Sequence, residues 1–243
     1  MLFQGELLSL SMPNQYRNPL YKRLIHIIYR PRAKANHLLR ARRSNGRGIH
    51  SPYLYRFVTT VLNTKWHYYA FEALEAVHQK EKHRSFERFT KKTPHRVERM
   101  LFNIVQDLQP ATMLEIGNRS GIETQYLVNA CPKATCKSLN YLPNTKDDQS
   151  LKVALSQMEK LDFVLFNAPV DRTQRMNEFR LCLQKVHEDS LIVIKYIHQN
   201  PEQAFTWKLM RNHPEVRSSI DLYSLGILIF RSDLPKCRLR IKI

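Results

Sequence analysis

The fold is decided by residues 111–126, which read A-T-M-L-E-I-G-N-R-S-G-I-E-T-Q-Y. The stretch begins with a short apolar run and holds two of the chain's six glycines, Gly117 and Gly121. Apolar residues after Gly121 recur at the spacing of one helix face, and Pro110 and Pro132 bound the unit. Glycine lets the backbone turn sharply and lets a ligand approach the main chain. The stretch therefore predicts a strand, a tight loop and a helix whose free amides favour an anionic or electron-rich ligand.

Apolar strands alternate with helical patterns downstream of this unit. Strands are predicted at 134–140, 161–167, 190–196, 216–222, 225–231 and 237–243, and helices at 147–160, at 171–186 and from Asn200 onward. Continuous apolar strands separated by helices favour a parallel α/β sheet covered on both faces. The closing pair of strands suggests an antiparallel edge. We expect this sheet domain to comprise residues 93–243, after a basic α-helical region at 1–92.

The composition is that of a chain that can bury a core. It has 243 residues, of which 43% are hydrophobic, and no apolar run approaches the ~20 residues of a membrane-spanning helix. Its four cysteines form no C-x-x-C pair, which argues against a disulfide framework or a zinc site and fits a reducing compartment. We therefore expect a cytoplasmic protein.

The net charge of +18 is concentrated near the amino terminus. Between Glu6 and Glu72 the chain has no acidic residue and twelve basic ones. These are Arg17, Lys22, Arg23, Arg30, Arg32, Lys34, Arg40, Arg42, Arg43, Arg47, Arg56 and Lys65. Such a segment attracts polyanions, namely nucleic acid, an anionic membrane surface or an acidic partner protein. A solvated basic helix face is the alternative.

Two helices are predicted inside this basic segment. The first begins at Pro19 and ends at Pro31, because proline cannot continue a helix, and the second spans 33–43. The apolar stripe of the first helix consists of Leu20, Leu24 and Ile28. This stripe either packs on the main domain or lies on a membrane surface.

The order acidic-x-Gly-x-x-x-Gly in residues 115–121 resembles motif I of the class I S-adenosylmethionine (SAM) methyltransferases. Four further stretches resemble a bacterial branch of that family related to small-molecule O-methyltransferases. They are G-I-H-S-P at 48–52, Y-Y-A-F-E at 68–72, N-H-P-E-V at 212–216 and I-D-L-Y-S-L-G-I-L-I-F-R at 220–231. The resemblance implies an α/β, Rossmann-like methyltransferase sheet, mostly parallel with an antiparallel carboxy-terminal edge, preceded by an α-helical region.

The same resemblance implies a SAM site at the glycine loop. In that family the loop wraps the methionine part of SAM, and the acidic residue orients the loop. The cofactor-binding residues so implied are Glu115, Gly117, Asn118, Ser120 and Gly121, with Asn140 at the ribose. The family ends its second strand in Asp or Glu, whereas Asn140 carries no charge. Only one helix fits between Asn140 and Asp162, so the usual third strand is expected to be missing or shortened.

The chain departs from the family where related enzymes hold a metal ion. Its fourth strand is followed by N-A-P-V at 167–170 rather than Asp-Gly-x-His, and Lys195 stands where paired acids are usual. Divalent ions prefer carboxylate oxygens, and Lys195 would repel them, so we expect no metal. His198 is the remaining candidate for a catalytic base; the alternative is a structural hydrogen-bonding role.

Two hypotheses of function follow, from different classes. The first is a SAM-dependent methyltransferase that is metal-independent if active and whose methyl acceptor is unknown. The second is a catalytically inactive methyltransferase-fold module, whose basic amino-terminal region binds nucleic acid or an acidic partner. The missing acids and the shortened third-strand region motivate the second hypothesis.

Overall fold

The structure, a computed structural model, describes residues 19–43, 45–64, 68–76, 96–118, 121–140 and 149–242. The helices are α1 (Pro19–Arg40), α2 (Pro52–Arg56), α3 (Arg96–Leu108), α4 (Ile122–Ala130), α5 (Gln149–Ser156), α6 (Arg172–Leu183) and α7 (Pro201–Arg211). Helix α2 continues as a π-helical segment, Phe57–Leu62. The strands are β1 (Arg42–Arg43), β2 (Thr112–Asn118), β3 (Thr135–Asn140), β4 (Leu161–Phe166), β5 (Val186–Lys195), β6 (Ser218–Asp221), β7 (Leu225–Ile229) and β8 (Cys237–Lys242).

The strands form one mixed sheet in the order β1-β8-β6-β7-β5-β4-β2-β3. Strand β7 runs antiparallel to both of its neighbours, β5 and β6, and the other neighbouring pairs are parallel. The carboxyl ends of β2, β3, β4, β5 and β6 therefore meet at the same edge of the sheet. The predicted Rossmann-like methyltransferase sheet, mostly parallel with antiparallel pairing near its carboxy-terminal side, is confirmed.

Helices cover both faces of the sheet, as the continuous apolar strands predict. On one face Met113, Phe163 and Ile220 pack with residues of α2, α3 and α4. On the other face Leu114 and Val164 pack with residues of α5, α6 and α7. Alternate residues of β2 thus enter opposite cores because successive strand side chains point to opposite faces. This double burial fixes the sheet, and with it the edge where the strand ends meet.

Two expectations concern chain segments outside this core. Pro31 lies inside α1 and does not end it, so the two helices predicted at 19–31 and 33–43 are one. Pro31 has no backbone N–H, so one carbonyl of the preceding helical turn lacks its usual donor. Because Pro31 is exposed, water can hydrogen-bond to that carbonyl instead. Between β3 and β4 the structure describes 149–160, which contains α5 and no strand; the expectation of a missing or shortened third strand also concerns 141–148, which lie outside the described residues. No helix in the described ranges is long and apolar enough to cross a bilayer.

Candidate functional site at the carboxyl edge of the sheet

The predicted glycine loop joins β2 to α4 and adopts the backbone that its glycines allow. Gly117 has φ 87° and Gly121 has φ 75°, in the left-handed region that side chains with a Cβ rarely adopt. Gly121 is the N-cap of α4, and a Cβ added to it would meet no atom of the described residues within 4 Å. The space over this main chain is therefore open to a ligand. Ser120, another implied site residue, lies outside the described residues.

Glu115 is fully buried and connects three elements. Its Oε2 accepts hydrogen bonds from the Thr124 hydroxyl in α4 and from the Ser138 hydroxyl in β3 (3.0 Å). Its Oε1 accepts from the Asn167 amide, which follows β4 (2.7 Å). Burial raises the pKa of Glu115, and the neighbouring Glu123 adds to this, because the neutral donors offset only part of the cost of burial. Glu115 is therefore a positioning group for the loop.

Asn118 closes the loop with both ends of its side chain. Its Oδ1 accepts from the Gly121 backbone amide (2.7 Å), and its Nδ2 donates to Thr124 (2.7 Å) and Ser138 (2.8 Å). An asparagine that caps the amide three residues later is a common local device. The resemblance implies that Asn118 contacts the cofactor. In the structure the Asn118 side chain is hydrogen-bonded within the loop and holds its shape.

Lys195 and Glu123 form a buried ion pair that the sequence analysis missed. Lys195, at the end of β5, is 6% exposed, and its Nζ contacts Oε1 of Glu123 in the first turn of α4. Burial alone would raise the pKa of Glu123, but the charge and hydrogen bond of Lys195 bring it below its ordinary value. The Asn167 amide, which donates to Glu115, also hydrogen-bonds Glu123. A continuous polar network therefore fills the ends of β2, β4 and β5.

Asn140 stands at the outer end of this network. It ends β3, is exposed, and is the register partner of Asn118 in the neighbouring strand. It therefore lies beside the glycine loop, where the resemblance places the ribose contact. The side chain has an amide to offer a hydroxyl group and no charge.

His198 belongs to a second polar cluster at the same edge. Its Nε2 lies 2.9 Å from Oδ2 of Asp221, which is 1% exposed at the end of β6. Asp221 Oδ2 also accepts from the Trp207 indole (3.3 Å), and Oδ1 accepts from the Tyr223 amide (3.0 Å). His37 of α1 approaches the same carboxylate, with Nδ1 3.2 Å from Oδ1, in ion-pair range but without the alignment of a hydrogen bond. We call His37, His198 and Asp221 the His-Asp-His cluster.

The side-chain atoms of the His-Asp-His cluster are spaced as in a metal site, but a neighbouring positive charge disfavours a metal ion. Its three ligand atoms lie within 4.8 Å of one another. However, Nε of Arg240 lies 3.8 Å from Asp221 Oδ2, and a guanidinium at that distance disfavours a further cation. Burial would raise the pKa of Asp221, but the hydrogen bond and charge of His198, with His37 at ion-pair distance, hold it well below its ordinary value. Asp221 thus fastens α1 to the sheet through His37 and α7 through Trp207.

The sequence did not indicate that Glu123, His37 and Asp221 take part in buried ion pairs at this edge. Glu123 follows Gly121 by two residues, and an acid in the first turn of a helix is a recognisable signal. Asp221 lies inside the I-D-L-Y-S-L-G stretch, which was read as scaffold. His37 gave no signal, because nothing in a helix pattern names a partner on a distant strand.

Solved structures of methyltransferases share this fold. The methyltransferase PaMTH1 of Podospora anserina, solved with SAH, is 10% identical with a TM-score of 0.52, over 66% of this chain and 88% of that one. A putative O-methyltransferase from Klebsiella pneumoniae is 12% identical with a TM-score of 0.50, over 71% and 94%. No protein-family model and no curated protein matches the chain. The sheet and its glycine loop therefore define a class I, Rossmann-like methyltransferase fold.

Proposed function

We propose that this chain is a SAM-dependent methyltransferase that holds SAM over the glycine loop and uses no metal ion. The observation that carries the proposal is the open space over the left-handed Gly121, beside Asn140 at the end of the next strand. A fold neighbour that was solved with SAH supports it.

The residues present fit the methionine and ribose ends of SAM. Gly117 and Gly121 let the ligand approach the main chain, and the amides at the start of α4 suit its carboxylate. Glu115 and Asn118 hold the loop in shape, and Asn140 offers a hydrogen bond to a ribose hydroxyl. SAM supplies an electrophilic methyl group. The protein's contribution is then mainly to position the acceptor and to exclude water, which can supply much of the rate.

The ends of β4 and β5 support a reaction without a metal. The side chain after β4 is the amide of Asn167, and Glu123, the carboxylate that contacts Lys195 at the end of β5, is already neutralised by that lysine. A divalent ion would need hard oxygen ligands here and would meet the ammonium group of Lys195. His198 stays a candidate base, although its Nε2 is already bonded to Asp221.

The proposal is tested by calorimetric titration of the full chain with SAM and with S-adenosylhomocysteine. We expect micromolar binding that Gly121→Arg abolishes, because the new side chain enters the open space. Gly121→Ala is the matched control, since it adds the same backbone strain but little bulk, and it should still bind.

A gain-of-function variant sharpens this test. Asn140→Asp should bind SAM several-fold more tightly, because a carboxylate accepts hydrogen bonds from both ribose hydroxyls, and Asn140→Ala should bind more weakly. Both substitutions are at an exposed position and should leave the thermal midpoint unchanged. Wild-type protein that gives no heat and no thermal stabilisation at millimolar ligand would refute the proposal.

The second candidate function is the inactive module, and the buried Lys195–Glu123 pair favours it. The pair occupies the edge where related enzymes keep free acids, and the exposed Arg30, Arg32 and Lys34 of α1 offer a basic surface. The proposed partners of such an inactive module are nucleic acid or an acidic protein. Binding through phosphates should weaken steeply with added salt. Failure to bind any polyanion at low salt would contradict this candidate.

A further inference from the structure

Helix α1 contacts the sheet domain through polar groups. His37 Nε2 lies 3.1 Å from the carbonyl oxygen of Ile241. Nε of Arg30 donates to the carbonyl of Gln199 (3.2 Å), and the Tyr223 hydroxyl donates to the carbonyl of Arg30 (3.0 Å). Arg30 and His37 are seven residues apart, which places them on one face of the helix. The face of α1 that meets the protein is therefore its polar one.

Four large apolar side chains of α1 are exposed. Ile27 is 69% exposed, Ile28 51%, Leu38 41% and Leu39 87%. Ile27 and Leu38, like Ile28 and Leu39, are separated by about three helical turns, so the four side chains form one stripe. We call these four residues the α1 stripe. A helix that served only to cover its own domain would turn such a stripe inward. Of the two alternatives for the predicted stripe, the exposure of Ile28 disfavours packing on the main domain.

Basic residues border the α1 stripe on both sides. Arg32 lies one turn after Ile28, and Lys34 lies one turn before Leu38; both are exposed. No acidic residue between Glu6 and Glu72 offsets their charge. Nucleic acid would use these charges but leave the apolar stripe in water. An anionic lipid surface satisfies both, since phosphates meet the basic border while acyl chains meet the stripe.

We propose that α1 is a membrane-surface helix that binds anionic phospholipid bilayers. The α1 stripe lies at the boundary between headgroups and acyl chains, and Arg32 and Lys34 reach the lipid phosphates. His37, held by Ile241 and Asp221, sets the rotation of the helix so that the stripe faces away from the sheet. The carboxyl edge of the sheet, where His37 is anchored, is then held next to the lipid surface. This inference does not depend on methyl transfer.

Vesicle flotation of the full chain tests the proposal. We expect binding to vesicles of phosphatidylcholine mixed with phosphatidylglycerol and little binding to phosphatidylcholine alone. Added salt should weaken the binding without abolishing it, because screening acts on the charges and not on the buried apolar surface. A Leu39→Trp variant should show blue-shifted emission only with the anionic vesicles.

Two charge-matched variants separate insertion from attraction. Ile28→Gln/Leu39→Gln keeps the net charge. We expect its vesicle partition coefficient to fall at least about tenfold, because each CH₂ group buried in the membrane contributes substantially to the free energy of binding. Val128→Gln/Val153→Gln is the matched control: it removes two exposed apolar side chains from α4 and α5 and should bind like wild type. Arg32→Gln/Lys34→Gln should lose about fivefold per charge at low salt.

Three results would overturn the inference. One is the absence of binding to anionic vesicles at low salt. Another is equal binding by wild type and Ile28→Gln/Leu39→Gln, which would mean attraction by charge alone. The third is a wild-type dimer in light scattering that this variant converts to a monomer without a change in vesicle binding, because the stripe would then face a second copy of the chain. Thermal unfolding should be the same for all variants, since the replaced side chains are exposed.

Discussion

Two buried carboxylates lie at the same edge of the sheet, and their pKa values move in opposite directions. Glu115, 0% exposed, is surrounded by the neutral donors Thr124, Ser138 and Asn167, and its pKa is raised. Asp221, 1% exposed, is surrounded by histidines, an indole and a nearby guanidinium, and its pKa is lowered. Two equally buried carboxyl groups thus have pKa values shifted in opposite directions. The surrounding hydrogen-bond donors and charges decide whether the effect of burial on the pKa is offset. The first carboxylate shapes a loop, and the second anchors a helix.

The largest expected effect comes from the ion pair beside Glu115. Lys195→Met leaves Glu123 buried without its cation, which should reduce the free energy of unfolding by about 3–5 kcal/mol in urea titrations. The double variant Lys195→Met/Glu123→Gln should recover much of this loss, because no lone charge remains. If the single and double variants lose the same amount, the two residues are not coupled as the structure indicates.

A smaller effect separates the two carboxylates directly. Asp221→Asn should cost about 2–3 kcal/mol at neutral pH, because an amide group would meet donors that now bond a charged oxygen. Glu115→Gln should cost less than about 1 kcal/mol, since the hydroxyls of Thr124 and Ser138 can rotate to accept as well as donate. Urea titrations of both variants at the same pH measure this contrast, and equal losses would remove the distinction drawn between the two environments.

The smallest effect is the dependence of these differences on pH. The depressed pKa of Asp221 gives stability that is complete above the unfolded value of about 3.9 and is lost as pH falls towards the folded value. The gap between wild type and Asp221→Asn should therefore narrow from pH 5 to pH 2.

The sign is reversed for Glu115. Its raised pKa favours the protonated form in the folded state, so its contribution is complete below the unfolded value of about 4.3 and declines as pH rises through the folded value. Glu115→Gln should therefore improve relative to wild type as pH increases from 4. Unfolding curves of Glu115→Gln and Asp221→Asn, measured across both pH ranges, give the stability of each variant relative to wild type. The opposite pKa shifts of the two carboxyl groups would be contradicted if both relative stabilities changed in the same direction with pH.

Sequence patterns predicted the elements that depend on neighbours in the chain. Strands β2, β4 and β7 were visible because both of their faces are buried, and the loop was visible because Gly117 and Gly121 allow a backbone that other residues resist. The pairing of Lys195 with Glu123 was not predictable, because it depends on how β5 and α4 meet in space. Pro31 misled the prediction of a helix end, since an exposed proline can be tolerated where a buried one would not be.

The short strand β1 has a consequence for how the protein is made. It pairs in parallel with β8, so Arg42 lies opposite Ile241, and a strand that precedes the rest of the sheet in the sequence is tied to one that follows it. During synthesis α1 and β1 leave the ribosome before β2 to β7, and their partner strand β8 leaves it after them. Strand β1 therefore reaches its native place only after the other seven strands have been made, and until then other binding partners have access to it.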